Sequence, residues 1–396
     1  MEGYFNLSER TNRRNDAKRI CPCLAISVPI FIMSEFQKVI SYESLYKSMK
    51  KARRGVDWKL SIQKYCANYL KNFYSVRKRM LAGKPITKGF VEFNVRERGK
   101  KRHIRSVHFS ERVVQQSLCD EKLVPELSRH LIYDNGACLK GKGVSFALNR
   151  LSVHLQKYYR LHGNSGYILL IDFHGYFDNI AHKPLLADVS KYITDKDTLD
   201  LLKDFIMPFG YNKIVKIGNV NYSKAQGNYS GKSLGLGSPI SQMCAVFYPN
   251  KLDHYAKERL HCKFYGRYMD DIYIIDDSKE HLKEILCEIK NICSLYEITI
   301  NSEKTNIVKL SHGFTFLKTK FNLLGTGKIL KRLERNNVTR MRRKLKKLKA
   351  MKDRGEITMP EIDNSYHSWQ GYASHKNSHK TVIEMEKLYQ KLFEEA

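Results

Sequence analysis

The chain has 396 residues, which is enough for one elaborate domain or two to three smaller ones without disulfide support. It carries 70 Lys and Arg against 40 Asp and Glu, and this formal net charge of +30 favours a polyanionic partner, of which nucleic acid is the obvious one. A basic membrane-surface protein is the competing class, but it would gather its charge on one amphipathic helix, whereas here the charge is spread along the chain.

An apolar stretch from Ile20 to Met33 follows a basic segment and has about the length of a signal-peptide core. It is too short to span a bilayer comfortably. We expect instead a buried strand, or a misassigned start upstream of a true first residue at Met33. The nine cysteines form no CxxC pair and no zinc-finger spacing with histidine, so we expect reduced thiols, a cytoplasmic location and no membrane.

Helical periodicity predicts basic helices from about Ser41 to Tyr74. Alternating residues around a turn predict a β-hairpin with a basic tip from Gly89 to His108, and a helix is predicted from Ser110 to about Leu127. The apolar run from Gly166 to Ile171 predicts a buried strand, and Asp172 stands where that strand ends.

A glycine-rich passage from Gly231 opens a helix that we predict to run to about Leu260. Two strands, Lys263 to Tyr268 and Ile272 to Ile275, are joined by the acidic turn Met269-Asp270-Asp271. The remaining predicted elements are helices from Lys183 to Phe205 and from Lys279 to Tyr296, a strand region from Ile298 to Val308, a hairpin arm from Gly313 to Leu323 and basic helices after Asn337. Helices and strands interspersed without a regular βαβ rhythm predict an α+β fold.

Asp172 and the pair Asp270-Asp271 are candidates for a two-metal site. Nucleotidyl transfer needs two cations about 3.5–4 Å apart, held between the attacking and leaving oxygens. Mg²⁺ takes hard oxygen ligands, usually from one or two carboxylates. The aspartates would supply these ligands if their strands lie side by side. A solvated turn is the alternative, because Asp is common in turns and the chain has a second such pair, Asp276-Asp277.

Ordered motifs from Arg102 to Lys304 carry a family resemblance. Tyr268-Met269-Asp270-Asp271 resembles the YxDD box of reverse transcriptases, here in the YMDD form. DFHGYFD (172–178) resembles the family's motif A, and LGSPISQMCAVFYPNKLD (236–253) resembles its motif B. INSEKT (300–305) resembles motif D, and GFTFLK (313–318) resembles the primer-grip hairpin. These elements, in the family's order and over roughly the central half to two-thirds of the chain, identify it as a member of the reverse transcriptase family.

Motif B narrows the resemblance. Gln242 follows Ser241 where retroviral and group II intron enzymes typically have Ser-Pro. The Ser-Gln form resembles bacterial reverse transcriptases of diversity-generating retroelements and others associated with phage defence. Because the glycine-led helix braces template and incoming base in this family, the resemblance places Gln242 near the incoming nucleotide.

The resemblance implies a right-hand polymerase with an antiparallel palm sheet and a helical thumb. The implied ranges are an N-terminal extension at 1–34, fingers at 35–160, a palm at 161–323 with an interleaved fingers segment at about 195–232, and a basic helical thumb at 324–396. It also implies an RNA-directed DNA polymerase that uses two Mg²⁺ ions, with Mn²⁺ as a substitute, deoxynucleoside triphosphates, an RNA template and a DNA product.

Metal-binding roles follow by position. Asp172 and Asp270 would ligate the ions, Asp271 would support them, and the carbonyl of Phe173 would add a ligand. Phe177 would be the steric gate whose ring leaves no space for a 2′-hydroxyl, with a core aromatic as the alternative.

Cationic roles follow in the same way. Lys304 would lie near the triphosphate as a proton donor to pyrophosphate, with a surface lysine as the alternative. Lys101, Arg102 and Arg105 of the basic hairpin would fold over the triphosphate, with solvated charge as the alternative.

The basic segment from Val338 to Arg354 predicts a helix with Met341, Leu345, Leu348 and Met351 as its apolar stripe. Its exposed cations would meet phosphates, and the residues we select are Arg342, Arg343, Lys346 and Lys347. A membrane-surface or calmodulin-target helix is the competing interpretation. Trp369 and Tyr372 would either stack on bases or pack the thumb core.

Several alternatives stay open at this point. The biological role is either phage defence or that of a diversity-generating or other retroelement. A catalytically idle RNA-binding scaffold is an alternative of another class, since fold does not fix function. An RNA-templated polymerase that makes RNA is a third, for which Phe177 is the discriminating residue. A dedicated non-coding RNA and an accessory protein would fit either biological role, and the sequence leaves the oligomeric state open.

Overall fold

The computed structural model describes residues 33–97, 100–216 and 223–393. The predicted element between Ile20 and Met33 therefore falls almost wholly outside the described residues. The seven cysteines in the described ranges are all free thiols, as expected. No helix within these ranges has the length and apolar character needed to cross a membrane.

Helices and antiparallel strands are interspersed along the chain, so the predicted α+β class is confirmed. The helices are α1 Glu35–Val39, α2 Tyr42–Ala52, α3 Leu60–Ala67, α4 Tyr69–Leu81, α5 Phe109–Leu118, α6 Val124–Leu127, α7 Val144–His162, α8 Tyr176–Asn179, α9 His182–Val189, α10 Lys196–Ile206, α11 Pro239–Phe247, α12 Asn250–His254, α13 Lys279–Leu295, α14 Arg335–Asp353, α15 Met359–Ser374 and α16 His379–Phe393. The strands are β1 Phe90–Glu97, β2 Lys100–Val107, β3 Tyr167–Asp172, β4 Tyr211–Lys216, β5 Ser223–Tyr229, β6 Phe264–Tyr268, β7 Asp271–Asp276, β8 Asn306–Lys309, β9 Phe314–Phe316, β10 Thr319–Leu323 and β11 Ile329–Leu333.

The central sheet has the strand order β6, β7, β3, β8, with antiparallel neighbours throughout. Its strands read as apolar runs because both of its faces are buried. One face packs on α7 through Ile168, Phe264, Tyr273 and Ile275, and the other packs on α11 and α13 through Leu169, Ile171, Ile272 and Ile274. Helices on both faces fix the sheet, and with it the strand ends that carry the acidic residues.

A second sheet joins two hairpins that are distant in sequence. Strands β1 and β2 form the predicted basic hairpin, and β4 and β5 form another. Phe90 of β1 pairs with Ser223 of β5, which gives the order β2, β1, β5, β4. The later segment therefore folds onto the first hairpin, and the interleaved fingers segment at about 195–232 stays a prediction.

The predicted helix from Gly231 to Leu260 is broken into parts. Helix α11 ends at Phe247, α12 starts at Asn250, and a π-helical turn follows from Tyr255 to Arg259. Pro249 at the break has no N–H to donate and cannot continue the helical hydrogen bonding. The helix predicted from Ser110 to Leu127 likewise contains a π-helical turn between α5 and α6.

The C-terminal helices form a bundle with its own core. Its buried side chains are Met341, Leu345, Leu348, Ile362, Tyr366, Met385, Tyr389 and Phe393. The bundle begins at Arg335, after β11, which pairs with β10 in a sheet with β9. The domain limits stay predictions, although β11 lies beyond the predicted palm boundary at residue 323.

A buried carboxyl in α5 makes the stability of this fold depend on pH. Glu111 is 2% exposed, and its Oε1 accepts a hydrogen bond from the Lys88 N–H at 2.6 Å. Burial raises the pKa of Glu111 to about 8 from its ordinary value of 4.5. Between these two values the folded chain holds a proton that the unfolded chain has lost, so the free energy of unfolding falls as pH rises.

We expect Glu111→Gln to remove this pH dependence, because the amide keeps the acceptor oxygen for Lys88 and does not titrate. Between about pH 5 and about pH 8, wild type should lose stability relative to the variant, by a few kcal/mol at order of magnitude. Urea unfolding at the two pH values measures the difference. Equal pH dependence in both proteins would contradict the burial of an ionisable carboxyl here.

Candidate active site

The three acidic residues selected from the sequence meet at one edge of the central sheet. Asp172 is the last residue of β3 and pairs in register with Asp271, the first residue of β7. Asp270 lies in the two-residue turn that joins β6 to β7, where Tyr268 pairs with Asp271. Met269 opens this turn with φ 55°, the left-handed conformation that tight hairpins require. The expected adjacency of the two strands is therefore observed.

These carboxyls destabilise one another's charged forms. Burial first, and then the charge of Asp172, raises the pKa of Asp270. Burial, and then the charges of Asp270 and Asp172, raises the pKa of Asp271 to about 7. Clustered carboxyls of this kind favour a bound cation, because a cation restores the charged forms.

The loop before β8 closes on Asp172 from the other side. Lys304 Nζ donates to Asp172 Oδ2 at 2.5 Å, and Asn301 Nδ2 donates to the same oxygen at 3.0 Å. The backbone N–H of Asn301 also donates to the Asp172 carbonyl at 2.8 Å. Lys304 thus lies at the acidic cluster rather than on a remote surface.

The donors at this edge suit Mg²⁺ in their chemistry, since they are all hard oxygens. The Phe173–Ile300 bridge is made by hydrogen bonds from His174 N–H and Asn301 N–H, and neither uses the Phe173 carbonyl. Within the described ranges, however, no three acidic, histidine or cysteine side chains already surround a common point. Metal binding would take over the Asp172 oxygen that the Lys304 ammonium contacts.

A cavity of about 740 Å³ adjoins the acidic edge. Most of the residues selected for nucleotide binding lie in its wall: Lys101, Arg102, Arg105, Phe177 and Lys304. Two of the residues selected for metal binding, Phe173 and Asp270, line it as well. The basic β1–β2 hairpin forms one side and the carboxyl edge the other. A cavity with cations on one side and clustered carboxyls on the other has the charges that would suit a triphosphate together with divalent ions.

Phe177 and Arg105 both line the cavity, and Arg105 also makes contacts that the sequence did not predict. Phe177 is half-buried in the cavity wall. Its neighbour Tyr176 also lines the cavity but is buried, and its hydroxyl donates to the Ala245 carbonyl at 2.5 Å. Arg105 donates to the backbone carbonyls of Phe209 and Tyr211 at 3.0 and 3.3 Å. Arg105 therefore ties the basic hairpin to the start of β4 as well as lining the cavity.

Gln242 is exposed in the first turns of α11 and does not line this cavity. The structure thus leaves its predicted contact with the incoming nucleotide without geometric support, and its role stays a prediction. Nothing in the sequence distinguishes a cavity-lining from an exposed position on this helix.

The cations selected in the C-terminal bundle lie on a separate face. Arg342, Arg343, Lys346 and Lys347 are exposed on α14, opposite its buried stripe. Arg342 donates to Glu384 of α16 at 3.0 Å. Trp369 donates from Nε1 to Asn337 Oδ1 at 2.7 Å and stacks on Tyr366, so it packs the bundle.

Sequence reasoning missed a buried ion pair behind the acidic turn. Arg267 and Asp253 are fully buried, and the guanidinium donates to both carboxylate oxygens at 2.6 to 3.0 Å. Its remaining donors reach the Met269 carbonyl at 3.0 Å and the Val246 carbonyl at 2.8 Å. Tyr265 donates to the same Asp253 carboxylate at 2.6 Å. The available signal was a single arginine inside an apolar strand, a charge that must find a partner.

The chain matches one known protein family. The family described as Reverse transcriptase (RNA-dependent DNA polymerase) matches residues 96–326, more than half of the chain. No curated protein sequence matches the chain.

Two solved structures show a general likeness. Apo telomerase from Candida tropicalis, truncated from the C-terminal domain, is 13% identical over 67% of this chain and 60% of that chain, with a TM-score of 0.48. Telomerase from Candida albicans, in complex with a TWJ fragment of telomeric RNA, is 11% identical over 78% of this chain and 55% of that chain, with a TM-score of 0.49. The present chain thus spans less than two thirds of the length of these telomerases.

The Arg267 network predicts strong coupling between its members. Arg267→Met alone leaves the Asp253 charge buried and unpaired, which should lower the free energy of unfolding by about 3–5 kcal/mol. Combining Arg267→Met with Asp253→Leu and Tyr265→Phe removes the charge together with its partners and should restore much of that loss. Urea unfolding of the single and triple variants measures the coupling. A triple variant no more stable than the single one would show that the pair does not act as a unit.

Proposed function

The chain belongs to the reverse transcriptase family of RNA-dependent DNA polymerases, and on this premise we propose that it adds deoxynucleotides to a DNA strand copied from an RNA template. The family assignment made from the motifs is thereby confirmed, and so is its enzyme class, nucleotidyltransferase. The observation that carries the proposal is the meeting of Asp172, Asp270 and Asp271 beside a cavity walled by cations.

Metal binding is assigned to the acidic edge. Asp172 and Asp270 would hold two Mg²⁺ ions, for which Mn²⁺ would substitute, with Asp271 supporting them and the Phe173 carbonyl as a further ligand. Such ions neutralise charge on the attacking and leaving oxygens. Burial first, and then the neighbouring carboxylates, raise the pKa values of Asp270 and Asp271, and a bound cation would offset both costs, which supports this assignment.

The cavity wall would orient the triphosphate. Lys101 and Arg102 on the hairpin would offset its charge, and Arg105 would hold the hairpin against β4. Lys304, released from Asp172 when metal binds, would donate a proton to the pyrophosphate leaving group. Arg267 would hold the Met269 carbonyl, and with it the turn that presents Asp270.

Nucleic-acid contacts are assigned outside this cavity. The exposed cations of α14 would meet backbone phosphates, which position a duplex without reading its sequence: Arg342, Arg343, Lys346 and Lys347. Gln242 would contribute at the incoming nucleotide once template and primer are bound. The ranges assigned to fingers, palm and thumb from the sequence are part of the same proposal.

We expect Asp270→Ala with Asp271→Ala to abolish deoxynucleotide incorporation. Metal ligation contributes several kcal/mol to the transition state, so primer extension on an RNA template should fall by at least about 10³-fold. The matched control is Asp276→Ala with Asp277→Ala, the second aspartate pair, at the opposite end of β7. Unchanged incorporation in the first variant would show that the activity does not come from this acidic edge, and no incorporation by the wild type would favour an idle RNA-binding scaffold.

Phe177→Ala should relax selection against ribonucleotides, because the ring at the cavity wall leaves no space for a 2′-hydroxyl. The ratio of deoxynucleotide to ribonucleotide incorporation should fall by about 10-fold or more, the effect of losing one good steric contact. Tyr176→Phe, which keeps the ring of the neighbouring cavity residue and removes only its hydroxyl, is the control and should keep the wild-type ratio. An unaltered ratio in Phe177→Ala would remove the gate assignment and reopen an RNA-making polymerase.

For the biological role we propose a bacterial enzyme of phage defence, located in the cytoplasm. The Ser241-Gln242 form of motif B supports this role, and it supports a diversity-generating or other retroelement equally well as the second candidate. A dedicated non-coding RNA and an accessory protein would fit either role. Phage challenge of cells that carry the wild type or the Asp270→Ala, Asp271→Ala variant distinguishes the two roles. If the enzyme acts in defence, cells with the variant should lose the protection that the wild type gives. Sequencing of the nucleic acid that copurifies with the chain would identify the template.

A further inference from the structure

The helical layer before the first sheet carries a disproportionate share of the positive charge. Residues 42–84 contain twelve Lys and Arg against two acidic residues, Glu43 and Asp57, a net +10 out of the +30 of the whole chain. Within the described ranges, three of these cations pair with carboxylates: Lys47 with Glu43, Lys51 with Asp120 and Arg53 with Asp57. The layer lies outside the matched family region, residues 96–326. Its charge therefore calls for an explanation separate from the cavity.

Aromatic rings stand among these cations on the exposed side of the layer. The pairs are Lys50 Nζ over Tyr46 at 4.4 Å, Arg77 over Tyr42 at 4.7 Å and Lys59 Nζ over Trp58 at 5.3 Å from the ring centroids. Trp58 is 75% exposed, and Tyr42 and Tyr46 are 42% and 37% exposed. Helix α2 buries Leu45 and Met49 instead, so its aromatic residues are left on the solvent side.

A ring beside a cation matches the two parts of a nucleotide. An unpaired base stacks on the ring, and the neighbouring cation reaches the phosphate. Tyr42 and Tyr46 are four residues apart on α2, so they lie on the same face with an axial rise of about 6 Å. Tyr69 of α4 extends this face, with its ring centroid 5.4 Å from that of Tyr46.

We propose that the ring–cation pairs Tyr42–Arg77, Tyr46–Lys50 and Trp58–Lys59 form a second nucleic-acid site that binds single-stranded RNA without sequence preference. Single strands fit because their bases are free to stack, whereas the bases of a duplex are enclosed. The site is separate from the acidic edge and holds RNA whether or not nucleotides are being added.

An anionic membrane is the main competitor for such a surface. An interfacial helix must insert a free apolar face, and in α2 that face is buried in the protein core. Leu70 and Leu81 of α4 are about 60% exposed and are the residues a bilayer would use. The experiment below therefore also measures binding to lipid vesicles.

The chain offers a built-in reporter, since Trp58 and Trp369 are its two tryptophans. In the full-length Trp369→Phe protein, all tryptophan fluorescence comes from Trp58. The probe is an oligouridylate of roughly one single-strand site, about 4–16 nucleotides. Using it in the Asp270→Ala, Asp271→Ala background separates the two proposals, because RNA binding here requires no incorporation.

Oligouridylate should quench Trp58 as bases stack on the indole. Tyr42→Ala with Tyr46→Ala should weaken binding by roughly 5- to 100-fold, the usual effect of losing stacked bases. Lys50→Gln with Lys59→Gln should lower the slope of log affinity against log salt by about 1.4, which is about 0.7 for each cation lost on a single strand. Lys279→Gln with Lys283→Gln, an equal charge change on exposed positions of α13, is the control and should leave Trp58 quenching unchanged.

Two outcomes would overturn the proposal. In the first, oligouridylate does not change the fluorescence of Trp58 in the Trp369→Phe protein but quenches the fluorescence of Trp369 in the Trp58→Phe protein. This result would place RNA on the C-terminal bundle alone. In the other, phosphatidylserine vesicles shift the Trp58 emission while oligouridylate does not, which would make the layer a membrane surface.

Discussion

The position of the acidic turn depends on the buried pair of Arg267 and Asp253. The guanidinium joins α12 to β6 through Asp253, reaches α11 through the Val246 carbonyl, and holds the turn through the Met269 carbonyl. A charge sealed from water cannot give up its partner without a large penalty, so these elements are held in one arrangement. Helices α11 and α12 and the turn that carries Asp270 are therefore held together through the Arg267 side chain.

Negative and positive side chains lie on opposite sides of the cavity. Negative charge is concentrated at one sheet edge, where Asp172, Asp270 and Asp271 repel one another and where the Lys304 ammonium partly offsets them. Positive charge occupies the opposite wall of the cavity. The triphosphate and divalent ions that we propose for this cavity would balance the charge on both sides at once.

Much of the remaining positive charge lies on two groups of helices outside the cavity. The α2–α4 layer lies on one side of the family region in sequence, and the basic face of α14 lies on the other. Both faces are built in the same way, with an apolar stripe buried and the cations left outside. In α2 the stripe includes Leu45 and Met49, and in α14 it includes Leu345. Amphipathic helices thus let the chain carry a large net charge without placing it in the core.

The sequence by itself determined the local elements and the family. Strand β3, the β6–β7 hairpin and the stripe of α14 could be predicted because periodicity and turn residues act over a few neighbouring positions. The meeting of Asp172 with Asp271 was expected only because the motifs resemble a known family. Tertiary structure alone decided that Arg267 meets Asp253 and that Phe90 pairs with Ser223. It also placed Trp369 in the bundle and Gln242 outside the cavity. Such pairings depend on how whole helices and sheets pack against one another, and no local pattern of residues encodes that packing.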